Sequence, residues 1–409
     1  MNKNSLFLYV PVPLYKWEDV LYLEDQACNG LRLWSSNFER MTVMHPIVYS
    51  CPPPSWVPID TAGLDFKKIK IETVPMAYAM GKFIANQSRV LRLMDRHIDQ
   101  SEFLVFSIGG LIGDWGSVGA LLAHRKKRKY AVWTDRVESE VVKSESKSGL
   151  NWRRRLKSRL TYIPMQMLEK NVIEKSALGL FHGAETYSHY SQYSVNPHIV
   201  HDIHLKQEDR IPLLMLEDKI SSIKSDVLRI VYVGRADPMK GPFDWLEVMR
   251  ILHNKGIEFT ADWVGDGACI EEMNNRIVSY GLSEKVRMVG FVRNRVELLG
   301  LLRTSHIMVF CHKTPESPRN LIESLVSATP IVGYHSAYPA DLIEGSDAGV
   351  LTKMNDVDEL AEKVAFLSKN RVLLANMIGA AYACGKNYND HNVFAHRSDL
   401  VKEYLSLDE

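Results

Sequence analysis

From Arg229 to Tyr334 the chain alternates short apolar runs with segments of helical spacing, and this alternation restricts the possible fold more than any other property of the sequence. Arg229–Val233, Phe259–Val264, Val286–Val292, Ile307–Cys311 and Pro330–Tyr334 predict strands. Between them, Phe243–His253, Ile270–Tyr280, Val296–Leu302 and Asn320–Ser327 carry helical periodicity. Strands and helices in this order build a parallel sheet with helices on both faces. The N-terminal half repeats the theme more faintly. Phe103–Ile108, Tyr130–Trp133 and Gly179–His182 predict strands, and Ser5–Pro13, apolar but broken by prolines, predicts a first strand rather than a signal peptide. The expected organisation is an N-terminal domain over 1–205, a polar linker over 206–227, a C-terminal domain over 228–385 and a final helix over 386–409 that crosses back to the first domain.

Composition narrows the class. A chain of 409 residues has ample core for two domains, and 46% hydrophobic with 24% charged residues is ordinary for a globular protein. A net charge of +1 gives no global signal for nucleic acid. The five cysteines are scattered and lack metal-ligand spacing, which suits reduced thiols in the cytoplasm. No apolar run approaches the roughly 20 residues that span a bilayer.

The richest stretch is His312–Glu323. It follows the apolar run Ile307–Phe310 and enters a helix that Pro318 can start and Ala328-Thr329-Pro330 must stop. Glu316, Arg319, Asn320 and Glu323 therefore sit where a strand's carboxyl end meets a helix N-terminus. An open α/β sheet binds ligands there, and helix N-termini favour phosphate. Glutamate near a helix start also serves as an ordinary cap or dipole partner, and that alternative stays open on these residues alone.

Three further segments join this one. Val233-Gly234-Arg235-Ala236-Asp237-Pro238-Met239-Lys240-Gly241 follows the first strand of the C-terminal half, Val264-Gly265-Asp266-Gly267 the second, and Gly290-Phe291-Val292 ends the third. With Glu316–Val332 they resemble, in order and on the matching elements, the motifs of family 4 glycosyltransferases. There are departures: Glu316 and Glu323 are separated by six residues instead of seven, Ser317-Pro318-Arg319-Asn320 replaces a glycine-rich turn, and Ala328 stands where glycine is usual. The Pro-Glu-Ser-Pro-Arg form resembles enzymes of bacterial surface polysaccharide assembly.

The resemblance implies the GT-B fold, two Rossmann-like doubly wound domains facing across a cleft. It implies transfer of a sugar, with retention, from a UDP- or GDP-sugar to a glycan or lipid-linked acceptor, with no cofactor beyond that co-substrate and no metal. Arg235, Lys240 and Glu316 would carry catalysis. Gly234, Gly265, Phe291, Val292, Arg319, Asn320, Leu321 and Glu323 would complete the donor site. Arg235 and Lys240 offer a planar fork and a mobile point charge to a developing diphosphate, although either alone would also fit a surface ion pair. Glu323 would take the ribose hydroxyls and Glu316 the donor hexose. Rival readings are a sugar-nucleotide epimerase of the same fold and a non-catalytic glycan-assembly subunit.

On the acceptor side, Asp114 and Trp115 follow the glycine-rich turn Gly109-Gly110 and could bind a sugar by hydrogen bond and stacking; a plain turn explains them as well. Asp135 and Arg136 follow one strand and His182 ends another, where a core histidine is the alternative. Two basic clusters, His124–Lys129 and Trp152–Leu160, mark this half. The second, with Trp152, Leu156, Leu160 and Ile163 interleaved, suits a helix on an anionic membrane; a solvated helix packed by its apolar stripe fits too. The expected location is the cytoplasm, with peripheral contact at the inner face of the membrane. No nucleic-acid-binding module is visible.

Overall fold

The computed structural model describes residues 2–147, 152–223, 227–314 and 317–406. The chain divides into two compact units, Met1–His204 with Asp390–Glu409, and Leu205–Asn389.

The first unit is built on seven parallel strands in the spatial order Ile69–Pro75, Arg40–Val48, Asn2–Tyr9, Ser101–Ser107, Ala131–Thr134, Leu178–His182 and Pro197–Val200. The order reverses between Asn2–Tyr9 and Ser101–Ser107, as it must in a doubly wound sheet. Three short strands, Leu14–Trp17, Val20–Glu24 and Trp56–Pro58, branch from the end of Arg40–Val48, where Leu14 pairs with Ile47. Successive side chains along the first strand enter opposite cores. Leu6 and Leu8 pack with Trp34, Phe38 and Phe394 on one face, and Phe7 and Tyr9 with Met94, Phe106 and Trp115 on the other. The helix Asp390–Leu405 belongs to the first of these cores. Its Arg397, 1% exposed, hydrogen-bonds the carbonyl of His201, lies 3.5 Å from Asp202 and packs over the rings of Trp133 and Phe394.

The second unit has six parallel strands in the order Val286–Gly290, Phe259–Val264, Leu228–Val233, Ile307–Phe310, Ile331–Tyr334 and Gly349–Thr352. The sixth was not foreseen, because Gly349–Thr352 is short and only partly buried.

One expectation needs correction. Lys206–Asp226 is no free linker through its described length. It holds the helix Leu213–Ser222, which belongs to the second unit. Leu216 and Ile223 are buried, and the ammonium of Lys219, 4% exposed, donates to Thr329 Oγ1 at 2.7 Å and to the Ser327 carbonyl at 3.3 Å. The polar composition concealed this helix because its lysine is satisfied inside the fold. Burial pushes that lysine well below its ordinary pKa.

Candidate functional site

The second unit changes winding direction between Leu228–Val233 and Ile307–Phe310, which pair directly, Ile230 with Ile307 and Val231 with Met308. The loops leaving their carboxyl ends therefore frame a crevice. The first loop is laced to its neighbours through the backbone. The amide of Gly234 donates to Val264, Ala236 to Asp266, and Gly265 to Gly290, all at 2.8–2.9 Å. Gly265 is required here. At φ +143°, a Cβ would stand 2.1 Å from the carbonyl oxygen of Gly234.

Pro238–Lys240 then forms one tight turn that ends at Gly241, with φ +64°. A Cβ on Gly241 would stand 2.1 Å from the Cys311 carbonyl oxygen, so only glycine lets the turn lie against the second loop. The amide of Lys313 fastens the two loops by donating to the Met239 carbonyl at 2.9 Å. Arg235 and Lys240 are thus brought to one crevice but presented differently. The Arg235 side chain is 70% exposed and pairs with Asp237 at 3.1 Å. Lys240 is only 8% exposed, so it is a held charge and not the mobile one expected.

His312 stands at the start of the second loop, just past the strand Ile307–Phe310. Its Nε2 lies 2.9 Å from the Tyr232 hydroxyl. Burial, with a smaller contribution from the Lys240 ammonium, keeps the ring well below its usual pKa and therefore neutral. A neutral imidazole beside a buried cation leaves the positive charge on Lys240. The apolar strand before His312 was its only sequence signal. Behind it, Asp244 accepts from Lys313 and from the Tyr334 hydroxyl, both at 2.7 Å.

The helix Arg319–Val326 starts after Pro318 without a side-chain cap. Asn320 is 9% exposed, and its side-chain amide donates to the carbonyl of Val233, tying the helix to the end of the first strand. Leu321 is fully buried, so only its backbone could meet a donor. Glu323 lies in the second turn, not at the start of the helix as expected. It is held 3.4 Å from Arg295, whose Nε is 3.3 Å from Asp209. This bridge joins distant segments, so no local pattern announced it. Phe291 is 73% exposed beyond its strand, and Val292 is half-buried. Arg319 is half-buried at the first helical position. Glu316 lies outside the described residues.

In the first unit two expected acceptor residues have structural work. Asp114 caps the helix Trp115–Arg125, accepting the Ser117 amide at 3.2 Å, the Ser117 hydroxyl at 2.5 Å and the Gly109 amide at 3.3 Å. Burial raises its pKa, and these bonds oppose the shift. Trp115 is fully buried, donates its indole N–H to the Pro75 carbonyl at 2.9 Å and packs on Phe83, so it cannot stack on a sugar. Asp135 is exposed at a strand end, and Arg136 pairs with Glu138 at 2.6 Å. Glu138 also lies against the Gly109 turn, so Arg136 and Asp114 belong to one edge of the sheet. His182 is buried at the head of the helix Gly183–Tyr190, with its ring 6.4 Å from that of His201.

Two members of the first basic cluster are engaged in the fold: Lys126 bridges Asp95 and Asp99, and Arg128 donates to the carbonyls of Ile98, Ser101 and Glu102. Among the described residues no group of three or more His, Cys, Asp or Glu could hold a metal ion. Among them also, no helix is long and apolar enough to cross a membrane.

Residues 216–383 match the family of glycosyl transferases group 1 and form a domain of that family. A 2-deoxystreptamine N-acetyl-D-glucosaminyltransferase of Niallia circulans is 24% identical over 146 residues, 35% of this chain and 37% of that protein. WcaL of Escherichia coli K12, described as a colanic acid biosynthesis glycosyltransferase, is 28% identical over 149 residues, 35% of this chain and 36% of that protein. The matches thus span little more than a third of either relative. Alr3699/HepE of Anabaena, solved in complex with UDP, shares 13% identity, a TM-score of 0.68, 98% of this chain and 100% of that one. Both units together therefore have the GT-B fold.

Proposed function

We propose that the protein transfers a sugar, with retention, from a UDP- or GDP-sugar to a glycan or lipid-linked acceptor in polysaccharide biosynthesis. The observation that carries this reading is the pairing of exposed Arg235 with buried Lys240 on one glycine-closed loop at the switch point of the second unit. Departure of a nucleoside diphosphate builds negative charge on its phosphate oxygens. Fixed cations that need no reorganisation stabilise that charge best. Lys240, held under the loop, is such a cation. Arg235 can leave Asp237 and close on the phosphates with its planar fork. The start of the helix after Pro318 adds a positive helix end. Glu323 offers its carboxylate to the ribose while Arg295 holds it, and Phe291 presents an exposed ring to the base. With the charge met this way, the departing phosphate itself can deprotonate the acceptor hydroxyl on the same face, and no metal is required. HepE of Anabaena has also been solved with UDP-glucose, which supports a nucleotide sugar as donor here.

The test is a thermal-shift series with UDP, GDP and their sugars, with and without a chelator. A ligand at a hundred times its Kd stabilises by about 2.7 kcal/mol. One base should raise the midpoint, chelation should not remove the rise, and Lys240→Ala should. No shift by any nucleotide would sink the proposal. Binding without transfer would favour the non-catalytic subunit, and conversion of the donor sugar without an acceptor the epimerase.

A specific observation supports membrane docking through the first unit. The helix Trp152–Glu174 leaves Leu156, Leu160, Ile163 and Met167 exposed at 50–67%, at helical spacing along one stripe. Arg159 is exposed beside it. The side chains of Arg153, Arg154, Arg155 and Lys157 lie outside the described residues. Vesicle co-sedimentation should show salt-sensitive binding to anionic lipid that Leu160→Gln with Met167→Gln weakens at high salt. Equal sedimentation of wild type and variant would discard the stripe as an anchor.

A further inference from the structure

We propose that the first unit binds a glycoside carrying a negative charge, a uronate carboxylate or a sugar phosphate, in a cavity at the carboxyl ends of strands Arg40–Val48 and Ile69–Pro75. The proposal rests on the acceptor half of the transfer reading and names the chemical class of that acceptor.

The cavity has a volume of about 600 Å³, within the range of small-molecule sites. It opens at the edge where a doubly wound sheet takes ligands. Its walls combine three kinds of group. Tyr49 and Tyr78 are 75% and 60% exposed at its rim, large rings that the fold does not bury. Asn86 supplies an amide group. Lys82 and Arg89 supply two cations, and among the described residues no carboxylate lines the cavity.

The cations share a face by construction. Lys82, Asn86 and Arg89 are four and three residues apart on the helix Met80–Gln100, so their side chains project from one side. Neither Lys82 nor Arg89 has an ion-pair partner among the described residues, in contrast with Lys126, which pairs with Asp95 and Asp99. The helix begins at Ala79 without a side-chain cap, so its open amides add partial positive charge to the same wall. The acidic groups nearest Tyr78 are otherwise engaged, Asp114 as a helix cap and Glu138 with Arg136.

Each part matches one part of an anionic pyranoside. An aromatic face packs on the apolar C–H face of the ring. An amide can both donate to and accept from hydroxyls. Two cations with no ion-pair partner among the described residues meet the charge. A neutral sugar would use the rings and leave the cations unanswered; a bare anion would use the cations and leave the rings exposed.

The experiment is calorimetric titration of the full chain, with and without saturating UDP, using methyl glucuronide, glucose 1-phosphate, neutral methyl glucoside and inorganic phosphate as probes. At least one charged glycoside should bind tenfold or more tighter than methyl glucoside. The preference should vanish in Lys82→Gln/Arg89→Gln, whereas Tyr49→Ala should weaken all three glycosides alike. The stronger of the two charged probes identifies carboxylate or phosphate as the source. The proposal is overturned by equal affinity for charged and neutral glycosides, by no binding of any glycoside, by inorganic phosphate binding as tightly as glucose 1-phosphate, or by an unchanged preference in the double variant. Persistence of UDP binding in any of those cases would confine the failure to this cavity. Absence of binding of both UDP and GDP would count against the transfer reading itself.

Discussion

Each unit carries a glycine-bearing loop at the carboxyl end of a parallel strand beside its switch point, and the two loops spend their charges in opposite ways. After Ser101–Ser107 the loop through Gly109 and Gly110 ends on Asp114, whose carboxylate accepts from Ser117 and Gly109 and is nearly buried. After Leu228–Val233 the loop through Gly234 and Gly241 satisfies itself with backbone groups, Ala236 to Asp266 and Lys240 to Asp237. Its two cations differ in exposure: Arg235 pairs with Asp237 at the surface, and Lys240 is buried. A glycine turn at the right edge of a sheet is therefore not in itself a site. In the second loop the capping work is done by backbone groups, where the first loop uses a carboxylate.

The largest test of this contrast is Lys240→Ala. It should slow transfer by about 2–4 kcal/mol in the barrier, roughly 30- to 1000-fold in turnover. Arg235→Ala should cost less, because its exposed guanidinium begins in solvent. Wild-type turnover in both variants would erase the distinction between the loops. Next, Asp114→Ala should act on stability and spare donor binding. Loss of the cap costs about 1–2 kcal/mol, or some 2–4 °C of midpoint for each kcal/mol in a unit of this size. An unchanged midpoint with impaired transfer would return Asp114 to the acceptor site.

A smaller effect is expected at Glu323. Glu323→Gln should weaken binding of the nucleoside diphosphate about tenfold, or 1.4 kcal/mol. A double-mutant cycle with Arg295→Ala should show partial coupling, since the two are half-buried partners. Disappearance of the whole effect in the Arg295→Ala background would reduce Glu323 to a structural partner of that arginine. The smallest effect concerns Ala328, which stands in the left-handed region at φ +51°. Its amide donates to Leu325 and that of Thr329 to Ser324, closing the helix Arg319–Val326 in the manner that favours glycine. Ala328→Gly should raise stability by less than about 1 kcal/mol, the relief of strain being offset by chain entropy and a lost methyl. A lower urea midpoint would show that the methyl outweighs the strain.

The parallel α/β character of the second unit and its four motifs were legible in the residue order. Buried parallel strands must be continuous apolar runs, and the helices between them must show their own period. The first unit was less legible, because strands such as Arg40–Val48 and Ile69–Pro75 mix polar and apolar residues, and its cavity is assembled from these separate strands and a helix. The same limit applies to single side chains. Composition placed Lys206–Asp226 outside any core, yet Lys219 reaches Thr329 across the fold. Asp114-Trp115 reads as a sugar site until Ser117 and Pro75 claim their polar atoms. What the sequence determined by itself was local: element type, the alternation of strands and helices, and the glycines of the segment Gly234–Gly241. Which cations are buried, which carboxylates are used as caps and that Arg295 meets both Glu323 and Asp209 was decided only by tertiary structure. Hydrogen bonding and burial depend on groups far apart in the chain, and no local pattern encodes that spatial pairing.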